Sequence, residues 1–259
     1  MCYDVKAQPP DLPASVIVGA AASDEDLVLK SADGAEFAAY LARAGVPNGA
    51  GVVILPDVRG LHQFYKELAT RFADAGVEAI AIDYFGRTAG LTPRDDSFDF
   101  WPHVAQTRAE NIAADVAAAV AHLRALPNSP RAIFTVGFCF GGANSFLQAA
   151  NKHGLAGVIG FYGQPVGPMR TGGPAPIDRV KEYECPVLGL FGGADPAIPE
   201  EKIRQFDAAL TEAGIAHELI TYPGAPHSFF DRRYEEYAKE SADAWQRMLT
   251  FMRAHTPPR

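Results

Sequence analysis

Three residues spread along the chain, Cys139, Asp195 and His227, have the types that nucleophilic catalysis requires. A thiol with an ordinary pKa of about 8.5 is only slightly ionised at neutral pH, so a nucleophilic cysteine needs a base. That base in turn needs an acid to hold its ring. Cys139 lies in Gly137-Phe138-Cys139-Phe140-Gly141. The apolar run Ala132 to Val136 before it reads as a buried strand, and Ala143 to Ala150 after it has helix-forming content. A strand, a Gly-x-Cys-x-Gly turn and a helix make a nucleophile elbow, with sulfur where oxygen is usual. The glycines keep side chains out of a very tight turn, and the following helix N-terminus favours a thiolate or an oxyanion. The competing reading is a small buried thiol, since free cysteines are among the most buried residues. The flanking strand and helix favour the nucleophile.

An elbow of this kind predicts the chain order nucleophile, acid, histidine, each at the C-terminal end of a strand. Asp195 closes Gly192-Gly193-Ala194-Asp195 after the strand Pro186 to Phe191, and His227 closes Pro223-Gly224-Ala225-Pro226-His227 after His217 to Tyr222. The other histidines fit less well: His122 sits within a helix, His153 follows one, His217 begins a strand and His255 is in the tail. His62 and His103 precede the nucleophile, as does Asp83, which also ends a strand. Alone, Asp195 reads as a turn aspartate and His227 as a loop histidine. Together, in order and at strand ends, the three point to a triad.

The elements that must position these residues follow from hydrophobic periodicity. Residues 1–25, rich in Pro and Ala, read as an N-terminal arm. Asp26 to Ser31 and Glu36 to Ala42 read as a hairpin around Ala32-Asp33-Gly34. Val52 to Leu55 is a doubly buried strand ending in Pro56-Asp57-Val58-Arg59-Gly60. Phe64, Leu68, Phe72 and Ala75 mark a helix closed by Gly76, and Glu78 to Ile82 is the next strand. A polar and aromatic excursion to Gln106 carries Phe98, Phe100 and Trp101, either a lid or a packing cluster. Ile112, Val116, Val120 and Leu123 mark a helix, and Gly157 to Tyr162 a strand. A Gly- and Pro-rich loop, Gly163 to Pro176, leads onward. Pro199 opens a helix through Ala213, and a C-terminal helix carries Tyr234, Tyr237, Ser241, Trp245, Met248 and Met252 on one side. This alternation predicts an α/β fold: one domain over residues 26–259, a mostly parallel sheet with helices on both faces and an N-terminal antiparallel hairpin.

Composition narrows the partners. The 259 residues carry 23 basic and 31 acidic side chains, a net charge of −8. That balance argues against nucleic acid or an anionic membrane as the main partner, and leaves room for an anionic small molecule met by local arginines. Three cysteines without a CxxC pair suit a reducing cytoplasm and argue against structural zinc. Asp4 and Asp11 against Lys6, with Pro9, Pro10 and Pro13, are wrong for a signal peptide before the apolar Val16 to Ala22. No apolar run approaches membrane-spanning length. No GxGxxG follows a strand and no GxxxxGK[ST] occurs, which sets aside a nucleotide enzyme.

The motifs Gly-Phe-Cys-Phe-Gly-Gly (137–142), Gly-Gly-Ala-Asp-Pro (192–196) and Pro-His-Ser-Phe (226–229), with Asp83-Tyr84-Phe85-Gly86-Arg87, carry a resemblance to a known family. From about Asp26 to Met252 the sequence resembles the dienelactone hydrolase family of the α/β-hydrolase fold. The resemblance implies hydrolysis of a lactone or activated ester without metal or organic cofactor. An acyl-thioester would form on Cys139, with His227 as base and Asp195 orienting it. The backbone N–H groups of Val58 and Phe140 would cradle the oxyanion. Arg87 matches a family arginine that binds the substrate carboxylate; its ordinary reading is an ion pair with Asp95 or Asp96. Tyr162 lines the pocket or packs the core. Asp57 stands where the family carries a glutamate that sets the thiol's protonation. Asp231 stands where a second arginine is expected, with Arg232 as the substrate-binding candidate beside it. The alternative to a hydrolase is a non-catalytic small-molecule binding protein that keeps the fold. Either is expected to be a monomer or small homo-oligomer.

Overall fold

The computed structural model describes residues 7–231 and 233–258. Eight strands form one sheet: β1 (Ala21–Lys30), β2 (Glu36–Ala44), β3 (Ala50–Leu55), β4 (Glu78–Ile82), β5 (Ala132–Phe138), β6 (Gly157–Phe161), β7 (Val187–Gly192) and β8 (His217–Tyr222). Their order across the sheet is β1-β2-β4-β3-β5-β6-β7-β8. The pairs β1/β2 and β2/β4 are antiparallel and all others parallel. The helices are α1 (Gln63–Asp74), α2 (Gly86–Ala89), α3 (Trp101–Val104), α4 (Ala109–Arg124), α5 (Phe140–Gln148), α6 (Glu200–Glu212) and α7 (Ala238–Ala254). This is the α/β-hydrolase fold.

The central strands are apolar throughout because both faces are covered. Val52 and Ile54 of β3 join a core with Phe64 and Phe72 of α1 and Trp245 and Met248 of α7. Val53 and Leu55, pointing the other way, join Ile112, Val116 and Val120 of α4. Burying a side chain of this size is worth about 1.5–3 kcal/mol, so this double coverage is the main force holding the layers together.

Two boundaries differ from the sequence expectation. β1 begins at Ala21, so the arm is shorter than residues 1–25. Ser23, Asp24, Glu25 and Asp26 hide the strand because β1 is a sheet edge with mostly exposed side chains, held by its backbone ladder to β2. The rest of the described arm is tied down: the Trp245 indole N–H donates to Pro10 O at 3.2 Å, and Val18 N–H to Asp74 O at 3.0 Å. The C-terminal helix starts at Ala238, which leaves Tyr234 and Tyr237 in the turns before it.

Candidate active site

β5 runs straight into Cys139, which adopts φ 54° and ψ −111°, and α5 begins at the next residue. A positive φ is uncommon for a residue with a Cβ and is tolerated where the surroundings impose it. Here the neighbours are backbone. A Cβ on Gly137 would lie 1.9 Å from Gly141 O, and one on Gly141 would lie 2.1 Å from Leu55 O. The turn therefore exists only with glycine on both sides, and it lifts Cys139 above the strand ends. Cys139 is part-exposed, whereas Cys185 is buried and its thiol is pushed up to about 12 by that burial. The two thiols occupy opposite environments for reactivity.

The turns after β7 and β8 are zipped to each other. Gly193 N–H donates to Tyr222 O at 2.8 Å and Ala194 N–H to Ala225 O at 2.9 Å. This contact brings Asp195 against His227, with Oδ2 2.5 Å from Nδ1. Asp195 Oδ1 accepts from Ala197 N–H at 2.9 Å, so both carboxylate oxygens have fixed duties. Asp195 is 4% exposed, and its screening by solvent is correspondingly small. Tyr162, fully buried and at φ 37°, places its ring 4.9 Å from the imidazole centroid of His227.

Cys139, Asp195, His227, Tyr162, Val58 and Phe140 all line one cavity of about 650 Å³. Phe140 opens α5, where helix geometry leaves its N–H without an intrahelical acceptor. Val58 stands on the loop after β3, which is held by several bonds. Tyr84 Oη donates to Pro56 O at 2.8 Å, Asp57 N–H donates to Tyr65 Oη at 2.9 Å, and Leu61 N–H donates to Asp83 Oδ1 at 3.2 Å.

The structure moves two candidates away from this cavity. Asp57 is fully buried with Arg59 Nε 3.0 Å from each of its oxygens, and it is not among the lining residues. Its carboxylate faces the guanidinium two residues on, because Asp57 and Arg59 sit on the same side of the loop. Burial works against the Arg59 cation, but the charge and hydrogen bond of the adjacent Asp57, together with the nearby Tyr65 and Asp231, outweigh it and hold the pKa above the usual arginine value. Arg87 also lies elsewhere, its Nη1 2.6 Å from Asp115 and its Nη2 2.9 Å from Asp33. It braces the β1/β2 turn against α4. The pair expected with Asp95 or Asp96 is not formed; Asp96 meets His62 Nε2 at 3.0 Å instead.

Asp231, expected beside the site, is 1% exposed and lies within the field of Arg59. Arg232 is outside the described residues. The aromatic trio divides: Phe98 stacks on His103 with centroids 5.1 Å apart, Phe100 is buried, and Trp101 alone reaches the cavity. Two arginines escaped the sequence reading. Arg59 carried a local signal, an acid and a base two apart in a strand-exit loop. Arg170 lines the cavity from the Gly- and Pro-rich loop after β6, where no periodicity marks it. Among the described residues, no three His, Cys, Asp or Glu side chains cluster as a metal site, and no helix is long and apolar enough to cross a membrane.

Comparison with known proteins agrees with this architecture. A model of the "Dienelactone hydrolase family" matches residues 37–256. A "Putative carboxymethylenebutenolidase" of Salmonella typhimurium is 30% identical over 221 residues, covering 83% of this chain and 82% of the relative. One of the same name from Synechocystis is 31% identical, covering 82% and 89%. The crystal structure of a "Putative Dienelactone Hydrolase" from Klebsiella pneumoniae matches with a TM-score of 0.76 at 26% identity, covering 89% of this chain and 98% of that one.

Proposed function

The chain belongs to the dienelactone hydrolase family, and from that premise we propose a cysteine-dependent hydrolase of a lactone or activated carboxylic ester. One observation carries the reading. A strained, part-exposed cysteine at a helix N-terminus shares a cavity with a histidine whose Nδ1 is 2.5 Å from a buried aspartate.

The chemistry follows from these positions. Asp195 accepts a hydrogen bond from Nδ1–H of His227 and so holds the proton on Nδ1, which leaves Nε2 as the basic nitrogen. His227 takes the thiol proton, and Cys139 Sγ attacks the carbonyl carbon. The carbonyl oxygen, now anionic, is met by the N–H groups of Val58 and Phe140. The tetrahedral centre collapses, the C–O bond to the ring or alkoxy oxygen breaks, and that oxygen takes the proton from His227. For a lactone, both halves stay joined in the acyl-thioester. Water then gives a proton to His227 and its oxygen to the acyl carbon; the C–S bond breaks and the thiol is restored. Free thiols and the composition support a cytoplasmic setting.

The test is a chromogenic short-chain ester assay on wild type and Cys139→Ala, with intact-protein mass spectrometry for an acyl adduct. Turnover by wild type alone, with an adduct that disappears in the variant, supports the reading. Equal turnover in both proteins removes it, and ligand binding without an adduct favours the non-catalytic binding protein.

A further inference from the structure

β1 is the outermost strand of the sheet and pairs with β2 alone among the described strands. At its end Ser31 N–H donates to Ala35 O at 2.9 Å, and Leu29 and Leu27 stand opposite Phe37 and Ala39. Bonded and non-bonded pairs alternate along an antiparallel ladder, so the odd-numbered residues of β1 bond to β2. The N–H and C=O groups of Asp26, Val28 and Lys30 therefore point away from the sheet. Such an edge is a template for another strand unless something blunts it. No proline interrupts β1, and its charges are placed so that one kind of partner is accepted.

Residues 26–30 read Asp-Leu-Val-Leu-Lys, an acid, three aliphatics and a base. Turned end for end, this segment complements itself. With Val28 on a two-fold axis, Asp26 stands opposite Lys30 of a second copy, and Leu27 opposite its Leu29. The three outward-pointing residues then face their counterparts as bonded pairs. Val28, 57% exposed, meets the second Val28, while Leu27 and Leu29 extend the apolar layer that packs with α4 on the other face. Lys30 is exposed, and among the described residues no carboxylate pairs with it. In the pair it would face Asp26, with Asp24 diagonal to it on the same face. Leu91, also exposed, lines a cavity of about 610 Å³ together with Asp26, Leu27 and Val28, which leaves room beside the edge for added side chains. The opposite edge, β8, has no such self-complementary order, and its Glu218 is already taken by Arg247.

We propose that β1 is a self-association edge, through which two copies of this chain pair antiparallel over Asp26–Lys30 and join their sheets into one. A two-fold contact of this kind closes on itself and stops at a dimer. The proposal is independent of the hydrolase reading, since β1 contributes no residue to the cavity that holds Cys139. Five paired residues a side bury less than about 1,200 Å², the range of reversible contacts.

Sedimentation velocity from about 10 to 500 µM should show wild-type monomer passing reversibly into dimer. Three variants test the edge. Val28→Pro removes an outward N–H and leaves the β2 ladder intact. Val28→Lys sets like charges opposite each other at the axis, and Lys30→Glu sets acid against acid twice. Each should raise the dimer Kd about tenfold or more, with near-UV circular dichroism unchanged. Zero-length carbodiimide coupling, read by mass spectrometry, should join Asp26 to Lys30 only between copies, because four residues along one strand hold them about 13 Å apart. A monomer at every concentration overturns the proposal. So does an assembly larger than a dimer, a dimer without that crosslink, or a Kd that stays the same in any of the three variants.

Discussion

Arg59 closes on Asp57 within the loop that presents Val58, with Nε 3.0 Å from both carboxylate oxygens and Nη2 2.9 Å from Oδ2. Both residues are buried, and the guanidinium lies 5.4 Å from the Phe64 ring centroid and 5.6 Å from that of Tyr65. The pair gives the loop its shape. Removing one partner leaves a buried charge uncompensated, which costs about 3–5 kcal/mol. Arg59→Ala is therefore expected to lower unfolding free energy on that scale in urea titration. The double variant Asp57→Asn/Arg59→Met should recover part of the loss, because it removes both charges. A double variant no better than the single one would contradict the pairing.

Asp195→Asn tests the other carboxylate. The amide keeps the shape but no longer demands a proton from Nδ1, so the imidazole tautomer is no longer fixed. A loss of about 10²–10⁴ in kcat is expected, by analogy with triads where this change has been made. Circular dichroism and Tm should stay close to wild type. A drop below threefold would mean that Asp195 does not orient the base.

Gly141→Ala tests the elbow itself. Its Cβ would fall 2.1 Å from Leu55 O and 2.2 Å from Pro56 O, both main-chain atoms that cannot swing aside. Overpacking of this kind costs about 1–3 kcal/mol where side chains can adjust, and more is expected where backbone must move. Soluble yield and Tm should both fall sharply, and ester turnover should fall with them.

The strand ends carrying Cys139, Asp195 and His227 were visible because apolar runs, glycines and prolines mark them locally. The contact that joins Asp195 to His227 follows once the parallel order is known. Arg87 was misplaced for the opposite reason. Its partners, Asp33 and Asp115, are 54 and 28 residues away in sequence and meet it only through tertiary packing. Arg170 was invisible because a Gly- and Pro-rich loop has no period, and only the folded cavity shows which of its side chains faces inward. The early start of β1 was hidden because an exposed edge strand needs no apolar alternation.

Arg87→Ala should then behave as a structural change. Asp115 is largely buried; that burial pushes its carboxyl up, and hydrogen bonds from Arg87 and Ser31 pull it back. Without Arg87, the brace between the hairpin turn and α4 is lost, at about 1–3 kcal/mol for a charge-assisted bond to a buried group. The expected outcome is a lower Tm, with the kcat/KM ratio of mono-4-nitrophenyl glutarate to neutral 4-nitrophenyl butyrate like that of wild type. A ratio that fell in Arg87→Ala with an unchanged Tm would show that Arg87 serves the substrate rather than the fold.

His153 gives the pH dependence of stability a specific source. Its Nε2 lies 3.0 Å from Gln148 Oε1, while Arg124 donates to its backbone oxygen at 2.7 Å. Burial, and then the Arg124 charge, push the imidazolium pKa down to about 4. In the unfolded chain the same group titrates at about 6.5. Because the folded value is depressed, the contribution to stability is present in full above about pH 6.5. It is lost progressively as pH falls toward 4, where the unfolded chain binds a proton that the folded one refuses. Comparing urea unfolding at pH 7 and pH 4.5, His153→Gln should lose about 1–2 kcal/mol less than wild type, a figure reduced from the full linkage value for partial exposure. Identical losses in the two proteins would show that His153 is protonated as readily in the folded chain as in the unfolded one.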